Sequence, residues 1–150
     1  MKDSKKIKTI IGKCEYISFP ALRLKNIEAK IDTGAFTTAL HCHDIMVKEM
    51  HGKKVLSFKL LDPLHADYSN REIIFETYEK AIIKNSFGES EERFVIRTIV
   101  KIGTKRINAK VSLTNRGNMR YPVLLGRRIL KRRFIVDVSE EFMLKPKSII

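Results

Sequence analysis

A chain of 150 residues with 43 % apolar content fits one soluble domain, residues 1–150, with room for a single core and not for two. No apolar run approaches a membrane span, Met1-Lys2-Asp3-Ser4-Lys5-Lys6 leads into no signal core, and Cys14 and Cys42 cannot build a disulfide framework. The expectation is a cytoplasmic protein with reduced thiols and no membrane partner. Net charge is +13 and uneven, at +5 over residues 1–30, −2 over 31–100 and +10 over 101–150. This asymmetry points to an acidic partner and leaves the fold open.

In chain order, Lys6 to Lys13 alternates as a strand with Gly12 as a turn or bulge, and Cys14 to Phe19 is a second strand stopped by Pro20. Ile27 to Asp32 is a third, and Thr37 to His41 resumes extended structure. Between His43 and Gly52 the pattern suits a short helix or a loop. Lys53 to Leu61 alternates well, and Asp62 to Asn70 reads as a surface loop. Arg71 to Lys84 reads as one long strand, Asn85 to Ser90 as a hairpin tip, and Glu92 to Ile102 as the returning strand. Gly103-Thr104 turns into Arg106 to Thr114, and Asn115 to Asn118 turns toward Tyr121 to Leu125. Arg127 to Arg132 is the one good helix, and Phe134 to Val138 is the last strand. Many short strands and almost no helix predict an all-β barrel or sandwich.

The chain is organised around Ala29-Lys30-Ile31-Asp32-Thr33-Gly34-Ala35. An apolar strand delivers one carboxylate, and a glycine ends it. Such a carboxylate is either a turn residue accepting backbone N–H bonds or a group put to chemical use. A second stretch, Val123-Leu124-Leu125-Gly126-Arg127-Arg128-Ile129-Leu130, is a short apolar strand that ends in glycine and a basic run.

Asp-Thr-Gly-Ala early and Leu-Leu-Gly-Arg late resemble the paired signature of retroviral-type aspartic proteases. The chain is more similar still to a bacterial and archaeal family of retropepsin-like proteins. These are called ATP-dependent zinc proteases and are associated with ATP-grasp glutamate ligases. Further blocks carry that likeness: Ile11 to Tyr16, Ala29 to His41, Gly88 to Arg93, Val111 to Arg116, Tyr121 to Leu130, and Phe134 to Asp137.

The resemblance implies a closed acid-protease-type (retropepsin-like) β-barrel, with one short helix after Leu124-Leu125-Gly126. It implies an aspartic endopeptidase with Asp32 as the catalytic residue. Two carboxylates sharing one proton are needed, since like charges that close cannot both ionise. Only one Asp-Thr-Gly is present, and Asp137 lacks a following glycine. The second carboxylate is therefore expected from another copy of Asp32 in a two-fold homodimer. Thr33 would lock the two loops across that dimer, and Gly34 would let substrate approach. Ala35 completes the loop, with Leu125 and Gly126 packed beneath it. Phe87 and Gly88 on a flap, Met119 on a cleft wall with Arg116 and Arg120, and Arg127 would meet the substrate. Where retroviral enzymes carry an acidic residue that often pairs with the arginine after the late glycine, this chain has Phe36, so Arg127 needs another partner.

The residues imply no cofactor. His41 and His43 supply two imidazoles where a zinc site wants three or four ligands, and no phosphate-binding glycine loop occurs. Asp137 reads as a structural turn residue, and His41 as a hydrogen-bonding neighbour of the active-site strand. Arg127 to Arg133 reads as a solvated helix face, and with few aromatics nearby the sequence argues against nucleic acid as a partner. The partners expected are a second copy, a peptide or protein substrate that the basic surface would favour if acidic, and a functional link to a glutamate ligase. The alternative is a non-catalytic basic β-barrel that binds RNA or an acidic protein.

Overall fold

The computed structural model describes residues 7–84, 87–115 and 120–144. Among them the strands are β1 (Thr9–Ile11), β2 (Cys14–Phe19), β3 (Leu24–Ile31), β4 (Thr38–Met50), β5 (Lys53–Leu60) and β6 (Glu72–Phe75). They continue with β7 (Glu79–Lys84), β8 (Ser90–Ile102), β9 (Lys105–Thr114), β10 (Val123–Leu125) and β11 (Phe134–Val136). One helical turn, α1 (Arg127–Leu130), separates β10 from β11.

Strands β10, β3, β2, β8, β9 and β4 pair in that order, and β4 pairs back onto β10. The sheet closes on itself, as a barrel must to remove its edges. Alternate residues point inward and make the core, among them Ile17, Ile27, Leu40, Ile96, Val111 and Val123. Beyond the ring, β5 and β6 extend from β4, β7 lies along β8, and β1 and β11 form a separate parallel pair. The all-β reading and the single short helix hold.

Four local expectations are corrected. Residues 43–50 are neither helix nor loop, because β4 runs through to Met50. Its register slips between His43 and Met46, where Asp44 has φ of 52°, and that bulge breaks the alternation that marks a strand. The strand then turns at His51 and Gly52, with φ of 52° and 77°, as a two-residue hairpin with positive φ at both positions.

Residues 71–84 form two strands. β6 pairs with β5 and β7 with β8, so the chain leaves one partner for another across residues 76–78. The helix after Gly126 is shorter than expected, ending at Leu130. The last strand stops at Val136, because the Asp137 carboxylate accepts from the Ser139 N–H (3.0 Å) and hydroxyl (2.6 Å). These bonds hold Asp137 below the usual carboxylate range and make it a turn residue, as expected.

One buried charge ties down the end of the chain. Glu15 is wholly buried on β2, and its carboxylate accepts from Gly12 N (2.8 Å), Met143 N (3.0 Å) and Leu144 N (2.9 Å). Phe142 stacks on Tyr16 beside it, with ring centroids 4.4 Å apart. A buried carboxylate is tolerable only when hydrogen-bonded in this way. Glu15→Gln keeps the shape but turns one acceptor toward an N–H as a donor. It should lower stability by about 2 kcal/mol in urea unfolding and expose residues 140–144 to proteolysis. Wild-type stability in that variant would show that the latch is not held by charge.

Candidate active site

The site grows from the ends of three strands. β10 lies between β3, to which it is parallel, and β4, to which it is antiparallel. The segment that joins β3 to β4 must therefore cross the end of β10, and Asp32 to Thr37 is that segment. Backbone bonds fix the crossing. Asp32 N donates to Leu125 O (2.9 Å), Arg127 N to Ala35 O (2.8 Å) and Arg128 N to Phe36 O (3.2 Å). From below, the buried Thr38 hydroxyl accepts from Gly126 N at 3.0 Å.

Gly126 has no room for a side chain. A Cβ there would stand 2.8 Å from Thr37 C and 2.9 Å from the carbonyl oxygens of Phe36 and Thr37. Leu125 is fully buried beneath the loop, where the sequence puts it.

Asp32 sits at the start of the crossing. Its Oδ1 accepts from Gly34 N at 3.0 Å, an Asx-type bond that aims the carboxylate. Among the described residues the other carboxylate oxygen has no partner. Thr33 and Gly34 are exposed and Ala35 is half-buried, so the loop presents this carboxylate at the molecular surface.

Phe36 and Arg127 resolve the question that the motif leaves open. The Arg127 guanidinium donates to the carbonyls of Thr33 (3.3 Å) and Gly34 (3.2 Å). Its centre lies 5.5 Å from the centroid of the Phe36 ring, and that of Arg128 lies 5.3 Å from it. Two cation–π contacts therefore stand where the retroviral pattern would have an ion pair, and they steady the loop from outside. Thr38 is the site residue that sequence reasoning passed over. The segment bends at residues 36 and 37, and Thr38 is buried where Phe36 is exposed, so alternation gave no signal for it.

A hairpin stands where a flap is expected from the sequence. β7 and β8 form the hairpin, with Phe87 86 % exposed and Gly88 at φ of 82° near its tip. Asn85, Ser86, Met119 and Arg116 lie outside the described residues. The acidic groups of the flap are partly neutralised: Glu91 lies 3.3 Å from Arg93, and Glu92 lies 3.9 Å from Lys80.

The histidines and Cys42 lie away from the Asp32 loop. His43 Nδ1 lies 2.9 Å from Leu61 O and its Nε2 3.2 Å from the Tyr68 hydroxyl, while His41 Nε2 is 4.0 Å from Asp62. His41 N bonds Pro122 O, which puts it at the end of β10 remote from the Asp32 loop. No group of three or more His, Cys, Asp or Glu side chains suited to a metal occurs among the described residues. Both cysteines are buried and free, and burial pushes the Cys42 thiol far up, which removes it as a nucleophile.

A barrel closed by a strand threaded between two others, with Asp-Thr-Gly on the loop that crosses it, is the retropepsin-like aspartic protease architecture. The family model described as "RimB-like: Retropepsin-like aspartic endopeptidase RimB" matches residues 10–147. The chain belongs to this family.

It is also similar to proteins named "Probable alpha-L-glutamate ligase". With that of Shewanella pealeana it shares 38 % identity over 145 residues, which is 94 % of this chain and 31 % of that protein. With that of Desulfotalea psychrophila it shares 39 % over 133 residues, 87 % of this chain and 28 % of the other. The chain thus spans less than a third of the length of these relatives. Among solved structures, the protein Lpg0085 of unknown function from Legionella pneumophila is similar at 31 % identity and a TM-score of 0.69, covering 93 % of this chain and all of that one. No helix among the described residues is long and apolar enough to cross a membrane.

Proposed function

We propose that residues 1–150 are a single aspartic endopeptidase domain that works as a homodimer, with a dyad built from Asp32 of each copy. The observation that carries this reading is Asp32 itself. One oxygen is anchored on Gly34, the other is unengaged among the described residues, and the chain contains no second Asp-Thr-Gly to face it.

In the mechanism a water between the two carboxylates loses a proton to the ionised one and attacks the scissile carbonyl. The protonated partner polarises that carbonyl and then gives its proton to the leaving amine. Thr33 joins the two loops, and Phe87 and Gly88 close over the peptide. Arg127 keeps the loop in place and lends positive charge to its rim.

The surface beside the loop supports self-association. A groove of about 620 Å³ runs from Thr33 and Phe36 to Leu130, Phe134 and Val136. Next to it, Ile10 and Ile135 face each other across the β1–β11 pair and are 49 % and 52 % exposed. Exposed apolar residues on a two-stranded sheet with free edges invite a second copy. Ile135→Asp should shift the protein to monomer in analytical ultracentrifugation and remove peptidase activity at micromolar concentration, while circular dichroism stays unchanged. An active monomer would defeat the dyad.

An acidic, glutamate-rich polypeptide is the substrate class that suits the +10 charge of residues 101–150. The names of the relatives support a functional link to a glutamate ligase, in which one protein adds glutamate and this one hydrolyses the product.

A further inference from the structure

The outer face of the β8–β9 hairpin sets like charges opposite one another. Along β8, Ile96, Thr98, Val100 and Ile102 are buried, whereas Arg97 and Lys101 between them are exposed. The register puts Arg97 opposite Lys110 and Lys101 opposite Arg106. Like charges directly opposite on an antiparallel pair are destabilising, and two such pairs in succession persist at a cost unless an anion lies between them. Lys110 has Glu79 at 3.2 Å. Arg97, Lys101 and Arg106 have no carboxylate partner among the described residues.

The segment around α1 adds to this band. Arg128 and Arg133 join Arg97, Lys110 and Asn108 around a cavity of about 160 Å³. The Arg133 guanidinium is held in place by the carbonyls of Ile129 (3.1 Å) and Arg128 (3.4 Å), so it is set before any ligand arrives. A space of that size admits one tetrahedral oxyanion with water.

The geometry points to a nucleic-acid backbone lying along this face, with one phosphate seated in the cavity and its neighbours on Lys101 and Arg106. A polypeptide fits less well. Between the two basic pairs stand only Ile99 and Asn108, with no apolar hollow to hold a side chain. The face has no aromatic platform for bases either, so contact is with phosphate and independent of sequence. Arg97 to Lys101 runs toward Gly103, away from the flap. The run at residues 127–133 alone argues against nucleic acid; the cross-strand register, invisible in the sequence, is what changes the reading.

The test uses a fluorescein-labelled single-stranded RNA 16-mer followed by anisotropy. Wild-type protein should bind with an affinity that falls as salt rises, at about −0.7 in log–log slope for each phosphate contacted. Arg97→Glu with Lys101→Glu should weaken binding at least about tenfold and flatten the slope by about 1.4. It should leave Tm unchanged or raised, because each reversal turns a like pair into an opposite one. Lys25→Glu with Lys54→Glu makes the same change in net charge elsewhere and should have little effect. The proposal is overturned by an equal loss in that control, by no wild-type binding at about 100 mM salt, or by poly-glutamate displacing the RNA at equal charge concentration.

Discussion

Asp32→Asn is expected to lower endopeptidase turnover by about 10²- to 10⁴-fold, the range that loss of a positioned acid–base group produces. Unfolding will not be the cause. Asparagine is nearly isosteric, its amide oxygen can still accept from Gly34 N, and the crossing is held by backbone bonds from Asp32, Arg127 and Arg128. Thermal unfolding should therefore match wild type to within about 1 kcal/mol.

Mixing gives a sharper result. If one dyad needs two intact carboxylates, equal amounts of wild type and variant, allowed to exchange subunits, should retain about a quarter of the wild-type activity. If each protomer works alone, about half remains, and the shared dyad is wrong. Acidic and neutral peptides belong in the same assay. Acidic ones should be cut faster at low salt and lose that advantage at high salt, because exposed charges are screened beyond about 10 Å at 0.1 M. Full activity of Asp32→Asn on any of them would remove Asp32 from catalysis.

What the sequence disclosed about this site follows from what a linear pattern can carry. Asp32 and Gly126 stand in short motifs whose chemistry is local, so both were legible. Their meeting came from the family resemblance and not from the pattern: nothing in the periodicity of Val123-Leu124-Leu125 says that β10 threads between β3 and β4. Alternation located most strands, and it failed where geometry broke it. The bulge between His43 and Met46 shifts the phase of β4, and the change of partner at residues 76–78 divides a run that is uniformly strand-like in composition.

Glu15 was hidden for a different reason. One acid in an alternating strand reads as solvent-facing, and only the return of residues 143–144 across β2 shows it to be an interior acceptor. The Phe36 cluster was half visible. The absence of the expected acid was plain, but its replacement depends on where two guanidinium groups come to rest.

Gly126→Ala should disable the site through the backbone alone. The added methyl would meet Thr37 C at 2.8 Å and the oxygens of Phe36 and Thr37 at 2.9 Å. None of these atoms can swing aside as a side chain could, so the crossing itself must move by several tenths of an ångström. Movement there strains the bond from Gly126 N to Thr38 Oγ1 and those joining Arg127 and Arg128 to Ala35 and Phe36. The displacement passes directly to Asp32, which opens the same loop. Overpacking of this kind lowers stability by about 1–3 kcal/mol. The effect on catalysis is larger, because a misplacement of about 1 Å in a reacting group loses about 10²-fold. The measurement pairs urea unfolding with kcat/KM, and kcat should fall with KM little changed, since Phe87 and Gly88, which the proposed function assigns to substrate, are untouched. A variant with wild-type stability and rate would mean that the crossing has slack, and that Asp32 is positioned by Gly34 and Arg127 without help from β10.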